Sequence, residues 1–228
     1  MININDKIMN ILSLNEFYMI MSSKTKKPYI NKQYNCYMFD TKKSADDFIA
    51  QFPSANIFIS DKIKNFKSKV FLEKLYNLGI KNIILEFKKE KITIATEKPE
   101  LRFLLYNPLT EGYLLQLRQS GGKKYLRDLW NCNFFTAVRV EKRKYAKHPI
   151  IQYPFATIKN NGKFFILFSS IDDFNKWNNT QECIWSPMEI NINKFDRIRN
   201  RNPIIINPNS DRIVLTNNLI KIIKEGKK

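Results

Sequence analysis

Three groupings in this chain have residue types that could do chemistry. The first is His148, the single histidine, which stands before Pro149 with no serine or cysteine motif beside it. A general base needs a partner within hydrogen-bond reach, and nothing local supplies one. The second is a pair of adjacent carboxylates that occurs twice, as Asp46-Asp47 and Asp172-Asp173. A shared acid or metal site would need both groups on one side, whereas helix neighbours diverge by about 100°. Each pair follows a serine suited to helix capping, in a first turn where the helix dipole favours negative charge. Capping is therefore the expected role of both pairs.

The third grouping is basic. Between positions 118 and 147 lie Arg118, Lys123, Lys124, Arg127, Arg139, Lys142, Arg143, Lys144 and Lys147, against Asp128 and Glu141, nine minus two giving an excess of +7. Tyr125, Trp130, Phe134, Phe135 and Tyr145 are interleaved with them. Lysine and arginine can neutralise phosphates, and aromatic rings can stack on unpaired bases. The competing reading is that the rings bury themselves and leave a solvated charged rim. No recognition motif promises sequence readout, so the nine are expected to make non-specific phosphate contacts. Gly121-Gly122-Lys123-Lys124 lacks the spacing of a phosphate loop and reads as a turn.

Net charge is +18 with a pI near 9.8, which favours nucleic acid, another polyanion or an acidic protein as partner. Only nine of the 39 basic residues are arginine, and asparagine and isoleucine are abundant, the signature of A/T-rich codons. Composition alone thus explains part of the charge. Cys36, Cys132 and Cys183 are odd in number and form no C-x-x-C, which argues against a disulfide framework and a zinc site. Cys36 and Cys183 fall in strand-like patterns and are expected to be buried thiols. No catalytic residue, metal or cofactor is expected. The apolar runs are strand-length and the N-terminus lacks a signal-peptide pattern, so the reading is cytoplasmic without membrane insertion.

The elements that would position these residues repeat. Tyr37-Met38-Phe39 leads to Ser44-Ala45-Asp46-Asp47-Phe48, and Ile166-Leu167-Phe168 leads to Ser170-Ile171-Asp172-Asp173-Phe174. Ile57-Phe58-Ile59 then matches Ile184-Trp185-Ser186, and Asn82-Ile83-Ile84-Leu85 matches Pro203-Ile204-Ile205-Ile206. Ile83 to Ile92 and Ile204 to Ile213 are both nine-residue steps. The expected fold is α+β, or mixed α/β, with two similar lobes, each a small mixed sheet flanked by short helices. The expected divisions are 1–98 for the first repeat, 99–150 for the basic, aromatic-rich joining segment and 151–228 for the second repeat.

The second repeat resembles the N-terminal domain of the SseB (enhanced serine sensitivity) family. The resemblance rests on Gly162-Lys163-Phe164-Phe165-Ile166-Leu167-Phe168-Ser169-Ser170, on Asp172-Asp173-Phe174 with Trp177, and on Ile204-Ile205-Ile206-Asn207-Pro208. It covers about 153–224, and the first half joins it only through the repeat, lacking Asn-Pro after Leu85. What the resemblance implies is a compact binding or accessory module without catalytic residues. Two functions are therefore carried forward: a non-catalytic polyanion-binding protein, and an SseB-like protein-interaction or adaptor module with no nucleic-acid role.

Overall fold

The computed structural model describes residues 11–12, 16–53, 58–64, 68–96, 107–120, 126, 128–141, 149–158, 162–196 and 198–225. The fold is α+β: six helices and twelve strands in three small sheets among the described residues. The chain divides into two compact units, Met1–Arg102 with Glu111–Gly122, and Phe103–Thr110 with Lys123–Lys228. The division thus runs through the 99–150 segment. Among the described residues no helix is long and apolar enough to cross a membrane.

In the first unit, β1 (Phe17–Ser22), β2 (Asn35–Phe39), β3 (Phe58–Ile63), β4 (Asn82–Phe87) and β5 (Glu90–Ala95) form one sheet, ordered β3-β1-β2-β4-β5. Only β2 and β4 run parallel. Strand side chains alternate between faces, so the apolar positions of each strand divide into two sets. Phe17, Met19, Cys36, Met38, Ile83 and Leu85 enter the main core with Leu72 and Leu75 of α2 (Ser68–Asn77). Gly79, at φ +78°, ends α2 in the left-handed conformation that glycine adopts without strain. The opposite face carries Ile20, Tyr37 and Phe39 under α1 (Lys42–Ala50), which packs over β1, β2 and β3. The helix α3 (Pro108–Ser120) contributes Leu115 to the main core.

The second unit holds β6 (Asn133–Glu141), β7 (Ile150–Gln152), β8 (Phe155–Ile158), β9 (Gly162–Leu167), β10 (Ser186–Asn191), β11 (Ile204–Ile206) and β12 (Ile213–Leu215). They make a sheet ordered β10-β6-β7 and another ordered β12-β11-β9-β8. An isolated bridge, Phe135 to Phe168, joins β6 to the end of β9. The helices are α4 (Ile171–Asn178), α5 (Ile192–Phe195) and α6 (Asn217–Glu225). Phe174 and Trp177 of α4 pack with Phe164, Ile166 and Phe168, while Phe195 of α5 meets Phe165 edge-on at 4.1 Å on the other side.

Three strand pairings of the first unit have counterparts in the second. Tyr18 faces Phe39 as Phe135 faces Phe168. Cys36 lies beside Ile83 in a parallel pair, and Phe165 lies beside Ile204 in another. Ile83 then opposes Ile94, and Ile204 opposes Leu215. The helix caps correct the sequence reading here. The cap of α1 is Thr41, whose hydroxyl accepts from the Ser44 N–H, whereas Ser170 caps α4 and accepts from the Asp173 N–H. Thr41 follows Phe39 as Ser170 follows Phe168, so Ser44 aligns with Asp173 rather than with Ser170. The matched pentapeptides are one helical turn out of step. Asp46 and Asp47 therefore lie beyond the first turn of α1, which contains no acid, while Asp172 and Asp173 do occupy the first turn of α4.

Cys183–Trp185 reads as a strand in the sequence, but β10 begins at Ser186 and pairs with β6. Ser68 reads as a helix cap and is the first described residue of α2. Ala55–Ile59 also reads as a strand; residues 55–57 lie outside the described residues, and β3 is described from Phe58 to Ile63. Asn207, at φ +51°, explains the Asn-Pro step. Its side chain accepts from the Ser169 N–H at 2.9 Å and donates to the Ser169 hydroxyl at 2.7 Å, locking the end of β11 to the end of β9.

The β4–β5 hairpin holds a strained turn. Phe87 pairs with Glu90, so Lys88 and Lys89 alone make the loop, at φ +51° and +67°. Such a turn suits Asn-Gly, and left-handed backbone costs an ordinary side chain about 1–2 kcal/mol. Changing Lys88→Asn together with Lys89→Gly should therefore stabilise the first unit by about 1–2 kcal/mol in urea denaturation. The Lys88 backbone N–H that donates to Asp40 Oδ2 at 2.6 Å is kept by this exchange. An unchanged or lowered midpoint would show that the turn is unstrained.

Candidate functional site

Of the nine basic residues singled out in the sequence, Arg118 and Arg139 are described. Lys123, Lys124, Arg127, Lys142, Arg143, Lys144 and Lys147 lie outside the described residues, as do His148, Tyr125, Tyr145 and Gly121-Gly122. Arg118 is half-buried in the last turn of α3, in the first unit. Arg139 is exposed on β6 in the second unit, and one guanidinium nitrogen lies 3.5 Å from Cys183 Sγ. The two described ones therefore belong to different units.

The second unit contains a hairpin with no counterpart of equal length among the described residues of the first. β6 runs three residues beyond its pairing with β10 and turns back as β7, with Arg139 opposite Gln152, Val140 opposite Ile151 and Glu141 opposite Ile150. In the first unit β1 ends at Ser22 and a short turn leads to a bridge between Met21 and Pro28. Val140 and Ile151 are exposed, and the amide of Gln152 donates to the Glu141 carboxylate at 2.8 Å. Residues 142–149 join these two paired strands.

The aromatic residues offered as stacking platforms go elsewhere. Phe134 is fully buried, Trp130 is nearly so, and Phe135 packs against the core around Phe168. Trp130 also lies under the Lys224 ammonium, 5.6 Å from its ring centre. Burial removes Phe134 and Trp130 from any base-stacking role, and Phe135 is partly buried. The thiols divide similarly. Burial pushes Cys36 up to about 12 and Cys132 up to about 11, leaving both protonated, whereas Cys183 is exposed, contrary to the expectation that it is buried. The strand in which Cys183 was expected begins three residues later, which leaves it at the surface.

The first unit has one feature that sequence reading missed. α1 covers β1, β2 and β3, so the β4–β5 part of the same sheet face is less covered. Tyr37, Phe39, Phe48, Ile84, Glu86 and Lys91 line a shallow open pocket there. Phe48 stands 4.6 Å from the Tyr37 ring and 5.2 Å from the Phe39 ring. The signal lay in the alternation of β2: Tyr37 and Phe39 share one face while Cys36 and Met38 take the other.

No protein-family model matches the chain, and no curated protein matches it. Among solved structures the chain is similar to Tic22 from Plasmodium falciparum at 14% identity, covering 82% of this chain and 84% of that chain, with a TM-score of 0.24. A likeness at that score carries no argument about fold or function.

Proposed function

We propose that this is a non-catalytic protein that binds polyanions, nucleic acid first among them, through the β6–β7 hairpin of the second unit. The observation that supports this reading is the pairing from Arg139–Gln152 to Glu141–Ile150. It brackets a connection whose sequence holds Lys142, Arg143, Lys144 and Lys147 and no acid. A two-stranded ribbon is narrow enough to enter a nucleic-acid groove, and basic residues in the connecting sequence would neutralise phosphates. With Trp130 and Phe134 buried, base stacking contributes little and sequence preference should be weak.

The shared element order and strand pairings support descent of both units from one duplicated α+β block of the SseB kind. That resemblance also keeps a second reading open, a protein-interaction module with no nucleic-acid role. The partly buried aromatic face of the first unit favours it.

Oligonucleotide binding at graded salt separates these readings. Affinity should fall with salt at a slope of about −0.7 to −0.9 per phosphate neutralised. Changing Arg139, Lys142, Arg143 and Lys144 together to glutamine should make that slope shallower by about 3–4, with thermal stability nearly unchanged. Absence of binding at low salt defeats the polyanion reading. So does an equal loss when Lys88, Lys89 and Lys91 are changed instead, because the charge would then be diffuse.

A further inference from the structure

The two units place equivalent residues at one position on their sheets and finish it differently. In the second unit Ile166, Phe168, Trp177, Ile205 and Asn207 are all buried, none more than 5% exposed. Register and capping equate them with Tyr37, Phe39, Phe48, Ile84 and Glu86 in the first unit. Of these, only Phe39 is buried. A face that the second unit buries is thus only partly buried in the first, with a shallow open pocket between Phe48, Tyr37 and Ile84.

The lining itself carries one charge of each sign, Lys91 and Glu86, and further lysines begin α1 and form the β4–β5 turn. Those at the start of α1 are Lys42 and Lys43, and those in the turn are Lys88 and Lys89. The Asp40 carboxylate ties the two loops together by accepting from the Lys88 N–H, and Asp46 accepts from the Ser60 hydroxyl at 2.7 Å. None of the five lysines is in an ion pair with a described residue. Two of these placements oppose local stability. Lysine at the start of α1 faces the positive end of the helix dipole, where α4 has Asp172 and Asp173. Lys88 and Lys89 occupy left-handed backbone in a turn that Asn-Gly would fill more comfortably. Local conflicts of this kind concentrate where a surface has a task besides folding.

We propose that this face docks an acidic segment of a partner protein. One apolar side chain of the segment enters the pocket on Phe48 and Ile84, and carboxylates next to it meet these lysines. An extended segment lying along β4–β5 would present alternate side chains to the pocket, as strand geometry requires. Apolar burial holds the segment and the lysines steer it. This site lies in the first unit and is independent of the hairpin assigned to polyanions.

The probe is a short fluorescein-labelled peptide with a central phenylalanine flanked by glutamates, compared with the same peptide carrying serine at its centre. Addition of the phenylalanine peptide should shift the Ile84 methyl resonance and the amides from Lys88 to Thr93. Affinity should fall about fivefold or more with serine at the centre, and as much when Lys88, Lys89 and Lys91 are all changed to glutamine. Those three side chains are exposed, so the triple variant should keep its thermal stability. The glutamine variant of Arg139, Lys142, Arg143 and Lys144 should bind the peptide as the native protein does, which separates failure here from failure of the hairpin reading. Equal binding of the serine peptide would overturn the proposal by reducing it to charge attraction. So would an unmoved Ile84 methyl at saturation, no binding at all, or an oligonucleotide that moves the same resonances with the same lysine dependence.

Discussion

Replacing Trp177 with alanine should cost about 3–5 kcal/mol of unfolding free energy, whereas replacing its counterpart Phe48 should cost roughly half as much. Both stand seven residues after their helix cap, and both touch the phenylalanine two residues before that cap. The ring centres are 5.4 Å apart for Trp177 and Phe168 and 5.2 Å apart for Phe48 and Phe39. The difference lies in what surrounds them. Trp177 is 5% exposed and is flanked by Phe174 and Trp185. Phe48 is only partly buried, and the position matching Phe174 is Ala45. Truncating a covered ring loses its transfer free energy and leaves a cavity, while water can occupy the space left by a partly buried one. Urea denaturation followed by circular dichroism reads both costs, with each unit allowed its own transition. Equal losses would mean that the first unit's face is closed in solution, and the docking proposal would fall with it.

That asymmetry was invisible in the repeat itself. Strand matches such as Ile83 with Ile204 were legible because parallel and antiparallel pairing both preserve an alternating apolar pattern, and the nine-residue steps survive as Ile83–Ile92 and Ile204–Ile213. The helix match was misread because Ser44 and Ser170 are identical in type, and both precede two aspartates. Thr41 caps as well as Ser44 could, and only the distance from the strand end decides between them. The pairing of β6 with β10 brings together residues about fifty positions apart, and no local pattern announces a contact of that range. Nor could composition say which aromatic residues of the basic segment are core. Phe134 and Trp130 look like stacking platforms in sequence because charges surround them along the chain, yet alternation along β6 and contact with α6 turn them inward. The basic residues themselves were legible as a charge excess. The separation of Arg118 and Arg139 into two units was not, because it follows from where α3 and β6 pack.

Arg199→Ala should be the other severe substitution, costing about 3 kcal/mol, because it strips a nearly buried cation from a node that has no other donor of its shape. Arg199 is 7% exposed. Its Nε donates to Asp196 Oδ1 at 2.8 Å, and one Nη donates both to the Asn202 carbonyl and to Asn217 Oδ1 at 2.7 Å. Lys224 also donates to Asp196 while lying over Trp130, so the node joins the end of α5, the turn before β11 and helix α6. Burial pushes the Asp196 carboxyl up, but hydrogen bonds from Lys224 and Arg199, with their charges, outweigh it and hold it below the ordinary aspartate value of 3.8. A carboxyl lowered in the folded state adds stability that is fully present above 3.8 and is lost as pH falls through the lowered value. Asp196→Asn should therefore be less stable than the native protein at pH 7, and the gap should close only in strongly acid solution, below pH 3.8. Denaturation midpoints of both proteins from neutral to acid pH test this. A gap that stays constant through the acid range would show that Asp196 holds the node by shape and hydrogen bonding alone, with its charge contributing nothing.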